Sequence, residues 1–122
     1  MIIVKGSIPV RTEDRPQALA LVQELARESR HERGCLVYDV LVQADAPEVI
    51  VLWQQWSCIE ALEEHFASSH VDAFLDAIPD FIEGEVTSAR FEVQAFDGDV
   101  VTELVDTDTQ PHVEYAEDLI VH

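Results

Sequence analysis

An α+β fold of ferredoxin-like order, β-α-β-β-α-β, with a four-stranded antiparallel sheet and its helices on one face, is predicted by three features of the sequence. Residues 2–10 and 85–96 alternate in polarity with the two-residue period of a strand. A single apolar stripe at helical spacing lies between Glu13 and Arg33. Two adjacent strand-like runs are then followed by a segment of helical periodicity from Ser57 to Pro79. The chain has 122 residues and a mass of 13.7 kDa, 48% of it hydrophobic, which suits one domain with a core of its own.

In the first strand Ile2, Val4, Gly6, Ile8 and Val10 share a face opposite Ile3, Lys5, Ser7 and Pro9. The first helix carries Ala18, Leu19, Leu21, Val22, Leu25 and Ala26, with Thr12 or Asp14 as its N-cap and Gly34 as its stop. Cys35–Val42 and Glu48–Trp56 are rich in branched and aromatic residues and are joined through residues 43–47, so they read as an antiparallel hairpin. Ser57 with Glu60 forms a capping-box pattern ahead of Ile59, Leu62 and Phe66. Ser69 with Asp72 repeats that logic before Val71, Phe74, Leu75 and Ile78, so the second helical region reads as two pieces ended by Pro79. In the last strand Ala89, Phe91, Val93 and Ala95 oppose Ser88, Arg90, Glu92 and Gln94. Residues 1–96 thus form the domain. Residues 97–122 read as an acidic arm, since from Phe91 to His122 there are nine acidic residues and no Lys or Arg.

Charge and motifs exclude several function classes. A net charge of −18 repels nucleic-acid phosphates and anionic membranes, and makes a neutral substrate a better fit than a carboxylate or phosphate ester. No run approaches the roughly 20 apolar residues of a membrane span, and the chain opens on a strand-like run without a basic leader, so a cytoplasmic protein is expected. Cys35 and Cys58 lack metal or redox spacing and read as reduced, half-buried apolar residues. His65 and His70 stand five apart, about 140° around a single helix, so no metal site is expected. No nucleotide-binding glycine pattern or nucleophile elbow is present.

The third strand is apolar on both faces, with Val49, Val51 and Trp53 opposite Ile50, Leu52 and Trp56, while the second sets Leu36, Tyr38, Val40 and Val42 opposite Val37 and Leu41. Helices cover only one face of a sheet, so a second copy packed on the other is the economical solution. A homodimer is expected, with the acidic arm a candidate to wrap the partner.

Two blocks carry a family resemblance. Glu32-Arg33-Gly34-Cys35-Leu36-Val37-Tyr38 is similar to an E-x-G-C-L-x-Y motif. Trp56-Ser57 with Ala61-Leu62, His65, Ser68 or Ser69, and Phe74 is similar to W-x-S-x-x-A-L-x-x-H-x-x-S. With the strand order, residues 1 to 96 resemble the antibiotic biosynthesis monooxygenase group of dimeric α+β barrels, which includes quinol monooxygenases. The resemblance implies a flat phenolic or quinol substrate held between sheet and helices, and direct reaction of dioxygen with the substrate anion, with no metal, flavin or haem as cofactor. It further implies His65 as proton acceptor and Trp56 as a stacking surface, with Tyr38, Trp53, Phe66, Phe74 and Arg90 around the substrate. Each has a plainer structural role available: Trp56 and the phenylalanines in the core, Tyr38 bonded to backbone, His65 as an internal hydrogen-bonding group, Arg90 in a surface ion pair. Several oxygenases of this fold use an asparagine on the substrate oxygen or on dioxygen; this chain contains none, so that mechanism does not transfer. Haem degradation fits poorly as well, since Lys5 is the only lysine available near acidic propionates. The rival function is a non-catalytic dimeric domain that binds an aromatic metabolite in the same pocket or a protein partner through the arm.

Overall fold

The computed structural model describes residues 1–94, so the arm expected over residues 97–122 lies outside the described residues. The elements are β1 (Ile2–Pro9), α1 (Arg15–Ser29), β2 (Cys35–Gln43), β3 (Ala46–Trp56), α2 (Ile59–Phe66), α3 (Ser69–Ala77) and β4 (Thr87–Glu92). Single 3₁₀ turns at Thr12–Asp14 and Ile78–Phe81 precede α1 and follow α3. The strands form one antiparallel sheet in the order β2-β3-β1-β4, the arrangement the sequence predicts.

Register fixes the two faces. Val4 lies opposite Gln54 on β3 and Arg90 on β4, and Gln54 lies opposite Tyr38 on β2, so Tyr38, Gln54, Val4 and Arg90 form one row across the sheet. Ile2 lies opposite Trp56 in the row beside it. These residues share the helix-covered face, where Ile2, Val4, Ile8, Tyr38, Ile50, Leu52 and Trp56 pack in one core with Ala18, Val22, Leu25 and Ala26 of α1, Leu62 of α2 and Val71 and Phe74 of α3. The opposite face carries Ile3, Val37, Leu41, Val51, Trp53 and Phe91 in facing register. It carries the apolar residues expected, with Lys5, Asp39 and Gln55 set among them, and no helix among the described residues covers it.

Several local expectations are corrected by hydrogen-bond chemistry. The hairpin turn is tighter than residues 43–47, because Gln43 pairs with Ala46. Leu36 is an inserted bulge residue between the Cys35 and Val37 pairings and is 55% exposed, so it does not share a face with Tyr38. Asp14 stands at the N-cap of α1 without a capping bond, its carboxylate being engaged by Arg11 at 2.7 Å. The Ser57–Glu60 capping box does not form, since Cys58 occupies the N-cap of α2, exposed rather than half-buried, with no side-chain cap. Ser68, not Ser69, caps α3 through its Oγ, which accepts from Val71 N at 3.4 Å.

Gly34 does not stop α1, which ends at Ser29 with Arg30 as its C-cap. It turns the chain into β2 at φ +87°, and its carbonyl accepts from Ser57 N at 2.8 Å, tying the α1–β2 loop to the start of α2. A Cβ there would meet Ala61 Cβ at 2.5 Å and Ser57 Oγ at 2.9 Å. Backbone strain and collision both oppose a side chain. Gly34→Ala is expected to cost about 1–3 kcal/mol, read as a lower urea midpoint with unchanged slope; an unshifted midpoint would show that the loop yields freely.

Candidate functional site

Trp56 ends β3 and is fully buried, its Nε1–H donating to Gln54 Oε1 at 2.9 Å. The intervening Gln55 turns to the other face, so residues 54 and 56 meet side by side on the helix face. Tyr38 stands edge-on to Trp56, with ring centroids 6.4 Å apart and planes at 88°. His65 of α2 lies over both rings, at 4.7 Å from Trp56 and 5.6 Å from Tyr38. Tyr38 and His65 are each 2% exposed, so the three rings form a packed cluster.

Burial sets the protonation of this cluster. It pushes the Tyr38 hydroxyl well above the ordinary tyrosine value, so the phenol stays neutral and can only share its proton. Its backbone carbonyl accepts from Arg30 Nε and Nη2 at 3.0 and 2.8 Å. His65 is held below the ordinary histidine value, chiefly by burial, with the nearby Glu32 carboxylate opposing that shift.

Glu32, in the loop between α1 and β2, places Oε2 2.8 Å from His65 Nδ1 and 2.5 Å from His70 Nε2. A carboxylate accepts but does not donate, so His65 carries its hydrogen on Nδ1 and keeps a free lone pair on Nε2. The convergence depends on a break in the helix. α2 ends at Ala67, and Ser68 donates its Oγ–H to His65 O at 2.7 Å while accepting from Val71 N, which re-aims the chain into α3 and returns His70 to Glu32. The spacing argument against a shared His65–His70 site therefore fails in its premise, because the two histidines sit on separate helices. Glu32, His65 and His70 present ligand atoms within 4.8 Å of one another.

Phe66, 45% exposed, lies at the rim with its ring 5.6 Å from His65, and the Arg90 guanidinium sits 5.6 Å above the Phe66 ring. Arg90 thus engages an aromatic face where a surface ion pair was the plainer expectation. Trp53 is on the opposite face of the sheet, opposite Lys5 and Asp39, and does not join the His65 cluster. Phe74 is buried on α3 and lines a cleft of about 250 Å³ with Leu21, Glu24, Leu25, Glu28, Ala73 and His70. The structure therefore brings together Tyr38, Trp56, His65, Phe66 and Arg90, and leaves Trp53 and Phe74 elsewhere. Sequence reasoning gave no role to Glu32, Gln54 or His70. The signal for Glu32 and His70 was available in the serine pair at 68 and 69, since a break there lets two histidines five residues apart face one carboxylate.

Comparison with known proteins agrees with this architecture. A family model described as antibiotic biosynthesis monooxygenase matches residues 1–77. The crystal structure of an antibiotic biosynthesis monooxygenase superposes with a TM-score of 0.72 at 26% identity, covering 77% of this chain and 99% of that one. The structure of Rv0793 from Mycobacterium tuberculosis gives 0.73 at 23% identity, covering 80% and 98%. In sequence, the uncharacterised protein sll1783 of Synechocystis is 27% identical over 81 residues, which span 66% of this chain and 55% of that protein's length.

Proposed function

The chain belongs to the antibiotic biosynthesis monooxygenase family, and from that premise we propose that it oxidises a small neutral quinol or polyphenol with dioxygen, using His65 as proton acceptor. The observation that carries this reading is the Glu32–His65 pair, which leaves a neutral imidazole with its Nε2 lone pair free beside the Trp56 and Tyr38 rings. The substrate ring would enter at the Phe66–Arg90 rim. Its hydroxyl proton passes to His65 Nε2, and the electron pair released onto the ring attacks dioxygen. The resulting peroxide takes the proton back from His65 and loses water, whose second hydrogen comes from the ring carbon that bears the peroxide, leaving one oxygen atom as a ring carbonyl of the product and the other in the water. Tyr38, neutral at working pH, can donate to the substrate oxygen, and the buried surroundings exclude competing water. Oxygen uptake against a panel of neutral hydroquinones tests the reading, and a flat electrode trace across the panel would contradict it.

The same chemistry fixes a pH dependence. Activity needs neutral His65, so it is lost as pH falls through the histidine's pKa, which burial lowers below the ordinary value of about 6.5. Glu32→Gln keeps an acceptor for Nδ1–H but removes the charge that opposes the lowering. The acid limb of the pH–rate profile is expected to move further down in that variant; a limb that stays in place would disconnect Glu32 from the base.

Assembly completes the reading. The sheet face bearing Val37, Leu41 and Trp53, which no helix among the described residues covers, would meet the same face of a second copy, giving a homodimer. Sedimentation at micromolar concentration is expected to give a dimer, and Trp53→Glu is expected to give monomers; a wild-type monomer would refute sheet-to-sheet packing. Among the described residues no helix is long and apolar enough to cross a membrane. The tight packing of Tyr38, Trp56 and His65 favours the rival reading, a non-catalytic domain, and absence of oxygen uptake with retained binding of an aromatic ligand would decide for it.

A further inference from the structure

We infer that Glu32, His65 and His70 form a binding site for one borderline first-row divalent metal ion, Zn²⁺ or Co²⁺ in character, that acts on this protein as an inhibitor. Three ligand atoms come from three separate elements: Glu32 Oε2 from the α1–β2 loop, His65 Nδ1 from α2 and His70 Nε2 from α3, all within 4.8 Å of one another. The carboxylate lies 2.8 and 2.5 Å from the two ring nitrogens. A metal bound tetrahedrally at about 2.0–2.2 Å from each atom holds its ligands about 3.4 Å apart, so as the metal replaces the shared hydrogens the carboxylate draws back from both ring nitrogens and the two nitrogens, within 4.8 Å of each other, close on the metal. Two imidazoles and one carboxylate select borderline metals over Mg²⁺ or Ca²⁺, which prefer all-oxygen shells.

Access and field agree with this assignment. His70 is partly exposed, its side chain at 22%, and lines the cleft that also carries the carboxylates of Glu24 and Glu28. A cation approaching there meets negative charge from the cleft and from a chain of net charge −18. The Ser68 cap and the Gly34 loop position α3 and Glu32 independently of any metal, so the ligands are largely preorganised.

The inhibitory consequence rests on the reading of His65 as the base. In the metal-free protein the hydrogen of neutral His65 is on Nδ1 and the lone pair on Nε2. When Nδ1 ligates a metal, that hydrogen moves through solvent to Nε2, and the nitrogen that would accept the substrate proton already holds one.

Zn²⁺ titration of the full chain by calorimetry, in excess Mg²⁺ to saturate non-specific acidic sites, is expected to show one Zn²⁺ per chain. His70→Gln, at a partly exposed position, and Glu32→Gln, which keeps a hydrogen-bond acceptor, are each expected to weaken binding about 100-fold. Nitrogen NMR of the imidazoles should show His65 hydrogen on Nδ1 without metal and on Nε2 with Zn²⁺. No stoichiometric binding, or binding that both variants retain, would overturn the proposal. Because these readouts use no substrate, stoichiometric Zn²⁺ binding with no quinol oxidation by the metal-free protein would sink the catalytic reading alone, whereas quinol oxidation unaffected by Zn²⁺ with no bound metal would sink only this one.

Discussion

Trp56→Ala is expected to remove about 3–5 kcal/mol of stability, the range for truncating a large buried ring. Three losses combine. The indole is fully buried against Tyr38 and His65, so its removal leaves a void at the centre of the core. Gln54 Oε1, buried with it, loses the Nε1–H that donates to it, and an unpaired buried acceptor has a cost of its own. His65 also loses the ring it leans on. Trp56→Phe restores an aromatic face but not the donor, so it should recover most, but not all, of the stability. Urea denaturation separates these cases, and a loss below about 1 kcal/mol for Trp56→Ala would mean the site is less tightly packed than its burial indicates.

His65→Gln is expected to slow quinol oxidation by about 10² to 10⁴, the usual cost of losing one acid–base group. Glutamine is the informative replacement. His65 is buried beneath Trp56 and Tyr38, so alanine would open a cavity and mix a packing defect with the chemical one. Glutamine keeps polar atoms near Glu32 but offers no basic nitrogen. The defect should fall on kcat, with KM changed little, because the role proposed for His65 is proton transfer and that proposed for the rim at Phe66 and Arg90 is binding. Full kcat in this variant, confirmed as folded by its melting curve, would return His65 to a structural role and favour the non-catalytic domain.

Most of the fold was legible because period-two alternation is a geometric property of strands: Ile2, Val4 and Ile8 were assigned to the core face and are buried there, and Ala89 and Phe91 were assigned opposite Arg90, as the register shows. Tertiary contacts decided what alternation cannot. Leu36 looks like a core-face residue in the sequence, yet a bulge displaces it. Serines at 57, 68 and 69 all satisfy the local pattern for a cap, and only the three-dimensional path selects Ser68.

The site was legible in half. Tyr38, Trp56 and His65 stood in the blocks that carry the family resemblance, and the structure brings their rings together. The family resemblance puts Trp53 around the substrate, whereas alternation along β3 sets it on the face opposite Trp56, and the register keeps it there. Glu32 stands in the first of those blocks without a role, and helical spacing argues against His70, because their roles depend on long-range approach: residues separated by 33 and 38 positions meet at one carboxylate oxygen. No local period encodes that meeting.

In the proposed reaction neutral His65, held by Glu32, lets dioxygen react with a bound quinol. The most direct measurement is mass analysis of the product formed under isotopically labelled dioxygen by the wild-type chain and by His65→Gln. One labelled oxygen atom is expected in the wild-type product for each dioxygen consumed, and little product of any kind from the variant. Unlabelled product, or equal labelled product from both chains, would contradict it.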